Sequence, residues 1–381
     1  ARCALIIGAG SRDELKSEYG IAHFAEHGLF KGTTHRKSYQ VNCRLENLGG
    51  ELNAFTTKED TTVHATVLRN DFPKAVELLS DVVFNSTFPD KELDKEREVI
   101  IDEINTYKDS PMDMIYDTFE DMLFEGSELG HNILGRKRDL MRHDSAALHR
   151  FVDRTYTTDQ MVFASIGNIS DSRIEQIANR YFADYKPTTR SHTRAVTTIC
   201  APFDREQIKH THQAHCIIGN RAYSINEDKR VPFLLLVNIL GGPTANSRLN
   251  VSVRERNGLS YNIEANYTAY NDCGMAVIYF SSEHCNSDHC RQIIADEIKK
   301  LQTVRLTTRQ LAMAKRQYIA QMTISTEGNE GYMLGVGRSL LVHGEVDTLE
   351  EAYKKINAVT ADQIMEVANE IFTNNSTLIY R

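Results

Sequence analysis

Gly20-Ile21-Ala22-His23-Phe24-Ala25-Glu26-His27-Gly28-Leu29-Phe30 is the stretch on which the reading of this sequence turns. At 100° per residue, His23, Glu26 and His27 fall within about 100° of arc, on one side of a helix. The flanks Ile21-Ala22 and Leu29-Phe30 are apolar, so the opposite side is buried. Two imidazoles one turn apart can share one zinc ion. The carboxylate between them need not be a ligand, and it can take a proton from water activated by the metal. Among 14 histidines, chance produces His-x-x-Glu-His about 0.04 times in such a chain. A pair of exposed surface histidines is the competing explanation, and the apolar flanks weigh against it.

A catalytic zinc takes three protein ligands and keeps one position open. Residues 91–107 form a helical pattern in which Leu93, Ile100, Ile104 and Tyr107 make the inward stripe. Glu96 and Glu103 flank that stripe. They lie about 10.5 Å apart along the helix axis, too far for one metal to take both. Periodicity alone leaves open which of the two binds, and either could instead pair with an arginine.

Working outward, residues 3–9 read as a buried strand broken at Gly8 and Gly10. Residues 39–48 read as a helix ended by Gly49-Gly50. Residues 51–69 read as paired strands turning near Lys58-Glu59-Asp60. Helices follow over 71–84 and 90–107, separated at Pro89, and Met161 to Ile166 is a strand. The polar segment 187–207 reads as a linker, dividing an N-terminal domain, 1–186, from a C-terminal one, 208–381. Element order recurs across it. The helix-then-strand unit 145–166 has a counterpart at 361–380, and Phe72 to Val82 has one at Ser287 to Leu301. The expected class is α+β, with two homologous domains, each a mainly antiparallel sheet packed with helices.

The composition of the 381 residues, 41 % hydrophobic and 25 % charged, excludes a disordered or collagenous chain. A net charge of -8 argues against nucleic acid as a partner. No apolar run approaches the roughly 18 residues of a membrane span. Seven cysteines without a Cys-x-x-Cys pair favour reduced thiols and the cytoplasm. The chain opens with Ala1 rather than Met, which leaves any targeting segment open.

Together these residues resemble the pitrilysin-type (M16, inverzincin) zinc peptidases, whose motif is His-x-x-Glu-His. The resemblance runs through Gly10-Ser11-Arg12-Asp13-Glu14, through His23 to Thr33, through Gly49-Gly50-Glu51-Leu52-Asn53-Ala54-Phe55-Thr56, and through Glu96 to Glu103. It implies that Glu103 is the third zinc ligand, Glu26 the base, and Glu96 an additional acid that orients or tunes the site. It implies a peptide substrate lying as an added strand on the edge Asn53-Ala54-Phe55-Thr56, with Asn53, Ala54 and Phe55 as its contacts. By residues alone, Arg254 and Tyr261 flank a turn at Asn257-Gly258. The resemblance makes them substrate contacts, Arg254 toward a peptide carbonyl and Tyr261 toward the oxyanion.

In the second half the counterpart of the zinc helix, Pro232 to Leu240, is apolar, so one zinc site per chain is expected. His210, His212 and His215 alternate as in a strand or loop, and Gly241-Gly242-Pro243 lacks the Lys-Ser/Thr of a phosphate loop. The expected activity is a zinc-dependent endopeptidase acting on extended or unfolded peptides in a closed chamber. The length matches a two-domain half-enzyme, similar to processing-peptidase-like bacterial members, and a chamber then needs a homodimer. The alternatives are a non-catalytic peptide-binding or assembly subunit, or the catalytic half of a heterodimer.

Overall fold

The computed structural model describes all residues, 1–381. The first half runs β1 (Arg2–Ile7), α1 (Ile21–Leu29), α2 (Ser38–Glu46), β2 (Glu51–Thr56), β3 (Thr61–Thr66), α3 (Phe72–Phe84), α4 (Asp90–Lys108), α5 (Pro111–Leu123), α6 (Lys137–Leu140), α7 (Ser145–Thr155), β4 (Met161–Ile166) and α8 (Asp171–Phe182). The second half runs β5 (Asp204–Gln207), β6 (Ala214–Ala222), α9 (Arg230–Gly241), β7 (Ser260–Ala269), β8 (Gly274–Ser282), α10 (Ser287–Thr303), α11 (Thr308–Ser325), α12 (Asn329–His343), α13 (Leu349–Ala358), α14 (Ala361–Ile371) and β9 (Ser376–Tyr380). No helix is long and apolar enough to cross a membrane.

One sheet has the order β2-β3-β1-β4, antiparallel throughout. The other, read from β7, runs β7-β8-β6-β9 and adds β5 parallel to β9. The repeated order makes the duplication concrete: α7 and β4 answer to α14 and β9, and α1 answers to α9. Helix α9 buries Phe233, Leu235 and Leu236 in the second unit's core and carries no histidine.

Each sheet anchors one compact unit. The first comprises Ala1–Tyr107, His131–Ala195 and Thr326–Val346. The second comprises Lys108–Gly130, Val196–Ser325 and Asp347–Arg381. The change from one unit to the other after Ala195 falls inside the expected 187–207 segment, but the units are not contiguous, because one helix of each half packs on the other half's sheet. Helix α5 buries Ile115, Phe119 and Leu123 with Ile217, Tyr279 and Leu378 in the second unit. Helix α12 sets Met333 beside Ala4 and Ile6 in the first. Gly337 allows that approach, since a Cβ there would stand 2.4 Å from Ile6 Cδ1 and 3.1 Å from Ala164 Cβ.

The expected linker is likewise tied down. Arg190, His192 and Arg194 converge on the wholly buried Asp13 carboxylate, and Arg12 donates to the Ala195 carbonyl. Burial alone would raise the Asp13 carboxyl; these donors hold it well below the usual carboxylate range. Farther on, residues 204–207 are β5. The polar composition of 187–207 reflects charge pairing rather than freedom.

Phe119 is fully buried, so Phe119→Ala should cost about 3–5 kcal/mol in a denaturant melt. Amide exchange should quicken in β6 and β9, with β1 and β4 unaffected. Loss of protection centred on β1 and β4 would contradict the assignment of α5.

Candidate metal centre

Helix α1 has nine residues and two committed faces. Ile21, Phe24, Ala25 and Leu29 are fully buried in the first unit's core. Gly28 completes that face, because a Cβ there would meet the Phe88 ring at 2.7 Å. The other face carries His23 and Glu26, both buried, and His27. Gly20, with φ +88°, turns the chain into the helix.

A distant carboxylate satisfies the first helical N–H groups. Glu14 accepts from Gly20 N at 3.0 Å and Ala22 N at 2.8 Å, at the positive end of the helix dipole. His131 Nε2 donates to the same carboxylate at 2.8 Å, and Tyr19 stacks on the His131 ring with centroids 4.0 Å apart. Burial nevertheless raises the Glu14 carboxyl above its ordinary value.

The two imidazole Nε2 atoms stand 3.2 Å apart. Glu103 Oε2, from α4, lies 3.7 Å from His23 Nε2 and 3.8 Å from His27 Nε2. These three are the one set of potential metal-holding side chains that the fold gathers. A point equidistant from the three atoms lies about 2.1 Å from each, the length of a zinc–nitrogen or zinc–oxygen bond. Protonation agrees with a cation there. His27 donates from Nδ1 to Glu96 Oε1 at 2.8 Å, which leaves a lone pair at Nε2. Burial, helped by His27, lowers the His23 pKa to about 3, so that ring is neutral. Two imidazoles and a carboxylate are a donor set suited to zinc.

Glu96 therefore touches His27 and not the space between those three atoms. Its Oε2 receives Lys31 Nζ at 2.5 Å. Burial alone would raise the Glu96 carboxyl, but His27 and Lys31 hold it below the ordinary value. Glu26 differs, since burial raises it and Glu103 adds to the rise. Thr56 Oγ1 donates to Glu26 Oε2 at 2.6 Å.

Thr56 ends β2, which is bonded on one side only, to β3. Asn53, Ala54 and Phe55 pair with His64, Val63 and Thr62, so their other edge carries no strand. In the second unit, Arg254 stacks over the Tyr261 ring at 4.8 Å, and Tyr261 is 74 % exposed. Gly258 between them takes φ +61°, the turn expected at Asn257-Gly258. The fold thus gathers His23, Glu26, His27, Glu96 and Glu103 in one unit, beside β2, and pairs Arg254 with Tyr261 in the other. The resemblance puts Thr56 on the substrate edge and not against Glu26, and sequence reasoning gives no role to Lys31 or the Glu14–His131 pair.

Residues 1–137 match the family model "Insulinase (Peptidase family M16)", and residues 144–318 match "Peptidase M16 inactive domain". A Bacillus subtilis protein named "Uncharacterized zinc protease YmxG" is 32 % identical over 376 residues, spanning 98 % of this chain and 90 % of that protein. The chain belongs to peptidase family M16. A Mycobacterium tuberculosis relative, "Uncharacterized zinc protease Rv2782c", is 29 % identical and spans 96 % of this chain and 84 % of its own. Two solved structures share the M16 two-domain fold. A protease from Helicobacter pylori has a TM-score of 0.89 at 18 % identity, covering 100 % of this chain and 93 % of that one. A peptidase M16 inactive domain from Pseudomonas fluorescens has a TM-score of 0.91 at 19 % identity, covering 100 % and 91 %.

Glu14→Ala leaves three donors buried without an acceptor and should cost about 3 kcal/mol of stability in urea. A change under about 0.5 kcal/mol would show that the helix start does not depend on this carboxylate.

Proposed function

We propose that this M16 chain is a zinc-dependent endopeptidase acting on extended or unfolded peptides. The observation that carries the reading is the triangle of His23 Nε2, His27 Nε2 and Glu103 Oε2 with the Glu26 carboxylate beside it. Held by these three residues, zinc would polarise the scissile carbonyl and make water a nucleophile at neutral pH. Glu26 takes the proton from the attacking water and passes it to the departing amine. Thr56 occupies Glu26 Oε2 and leaves Oε1 for the proton. A raised carboxyl pKa suits a group that holds the proton between those two steps.

The free edge of β2 is the substrate platform. A peptide added there bonds to the backbone of Asn53, Ala54 and Phe55, so an extended conformation is read before side chains are. Arg254 donates to a peptide carbonyl, and the exposed Tyr261 hydroxyl donates to the oxyanion. The functional assembly is a homodimer that encloses the substrate in a chamber.

Glu26→Gln should keep about one zinc per chain while hydrolysis of an unstructured peptide mixture falls by at least about 100-fold. Chelation should abolish activity in the unmodified protein, and added zinc should restore it. Undiminished hydrolysis by Glu26→Gln would overturn the assignment of the base. The native mass should be twice that of the chain, and a monomer active at all concentrations would contradict the dimer.

A further inference from the structure

Two glutamates on α4, Glu96 and Glu103, both approach the histidines of α1, yet they meet them at different atoms. Glu103 reaches both Nε2 atoms, where a metal would sit. Glu96 reaches Nδ1 of His27, on the far side of the ring. The second oxygen of Glu96 has a donor of its own, Lys31. The geometry points to Lys31 as the positioning residue that fixes Glu96 as the partner of His27 and so sets how firmly His27 holds zinc. This deepens, and rests on, the zinc reading above.

Lys31 lies four residues after His27, just past the end of α1. Its own N–H donates to Gly28 O at 3.0 Å, and the Gly32 carbonyl next to it accepts from Thr87 N at 3.0 Å. The lysine backbone is thus anchored on both sides. Its ammonium meets Glu96 Oε2 at 2.5 Å, and the side chains are 18 % and 11 % exposed. Each Glu96 oxygen therefore has its own donor, His27 for Oε1 and Lys31 for Oε2, from one short segment. With both in place the carboxylate has one orientation. Without the ammonium, Oε2 is desolvated with no donor, and the group relieves that cost by turning toward water. Turning removes Oε1 from His27 Nδ1 and leaves the imidazole free to rotate. Lys31 also neutralises the charge of Glu96, so Glu103 remains the uncompensated carboxylate at the ligand positions.

The test is a double-mutant cycle read on zinc affinity, by competition with a chromogenic chelator. It uses the full chain, Lys31→Met, Glu96→Gln and the double variant. Lys31→Met should weaken zinc about 10-fold, within the range for second-shell partners of a metal ligand. Glu96→Gln should weaken it comparably, and Lys31→Met should add nothing in that background. Lys31→Arg, which keeps a cation at Glu96, should recover most of the affinity. Melting of the zinc-free chains controls for folding. Unchanged zinc affinity in Lys31→Met, full additivity of the two substitutions, or equal losses in Lys31→Arg and Lys31→Met would each overturn the assignment. An unmodified chain that takes up no zinc would instead overturn the zinc reading on which it rests.

Discussion

Three polar side chains of a nine-residue helix stand in a nearly dry setting, and pairing them constrains what surrounds α1, with only His23 Nδ1 left buried without a partner. Its apolar face is pinned in the core by Phe24, Ala25 and Gly28, so His23, Glu26 and His27 cannot turn away. Leaving them unpartnered would cost about 1–3 kcal/mol each. The partners come from two neighbours. Strand β2 supplies the Thr56 hydroxyl for Glu26, and α4 supplies Glu96 for His27 and Glu103 for the ligand positions. The same contacts place β2, whose outer edge is unpaired, beside the side chains that could hold a metal.

The helix start carries a comparable constraint. Nine residues leave no spare turn to fray before His23, and Glu14 meets the need by holding the N–H groups of Gly20 and Ala22. Its orientation is set in turn by His131. A residue from the loop before the helix and one more than a hundred positions later therefore define where the first imidazole stands.

Much of this was legible in the sequence. The i, i+4 histidines, the alternation around Val63 and Ala65 in β3, and the recurrence of helix then strand at 145–166 and 361–380 are local signals, and each corresponds to an element. The exchange of α5 and α12 was not legible. An apolar stripe such as Ile115, Phe119 and Leu123 says that a helix is buried, but not which sheet covers it. Segment 187–207 does hold the crossing between the units, after Ala195, but its pairing was hidden for a related reason. Its arginines look solvated until Asp13 is seen beneath them, and that pairing spans well over 170 residues. At the site, periodicity could not choose between Glu96 and Glu103. The choice shows only in where each glutamate falls: Glu103 reaches both Nε2 atoms, whereas Glu96 reaches His27 Nδ1 and is paired with Lys31, which carries no pattern of its own.

The most direct test of the account is crystallographic. Anomalous scattering recorded at the zinc absorption edge from zinc-loaded crystals locates the ion independently of any activity. The account predicts a single strong peak about 2.1 Å from His23 Nε2, His27 Nε2 and a Glu103 carboxylate oxygen, with Glu96 still bonded to His27 Nδ1. A peak bound through Glu96, a peak elsewhere in the chain, or none in crystals holding stoichiometric zinc would contradict it.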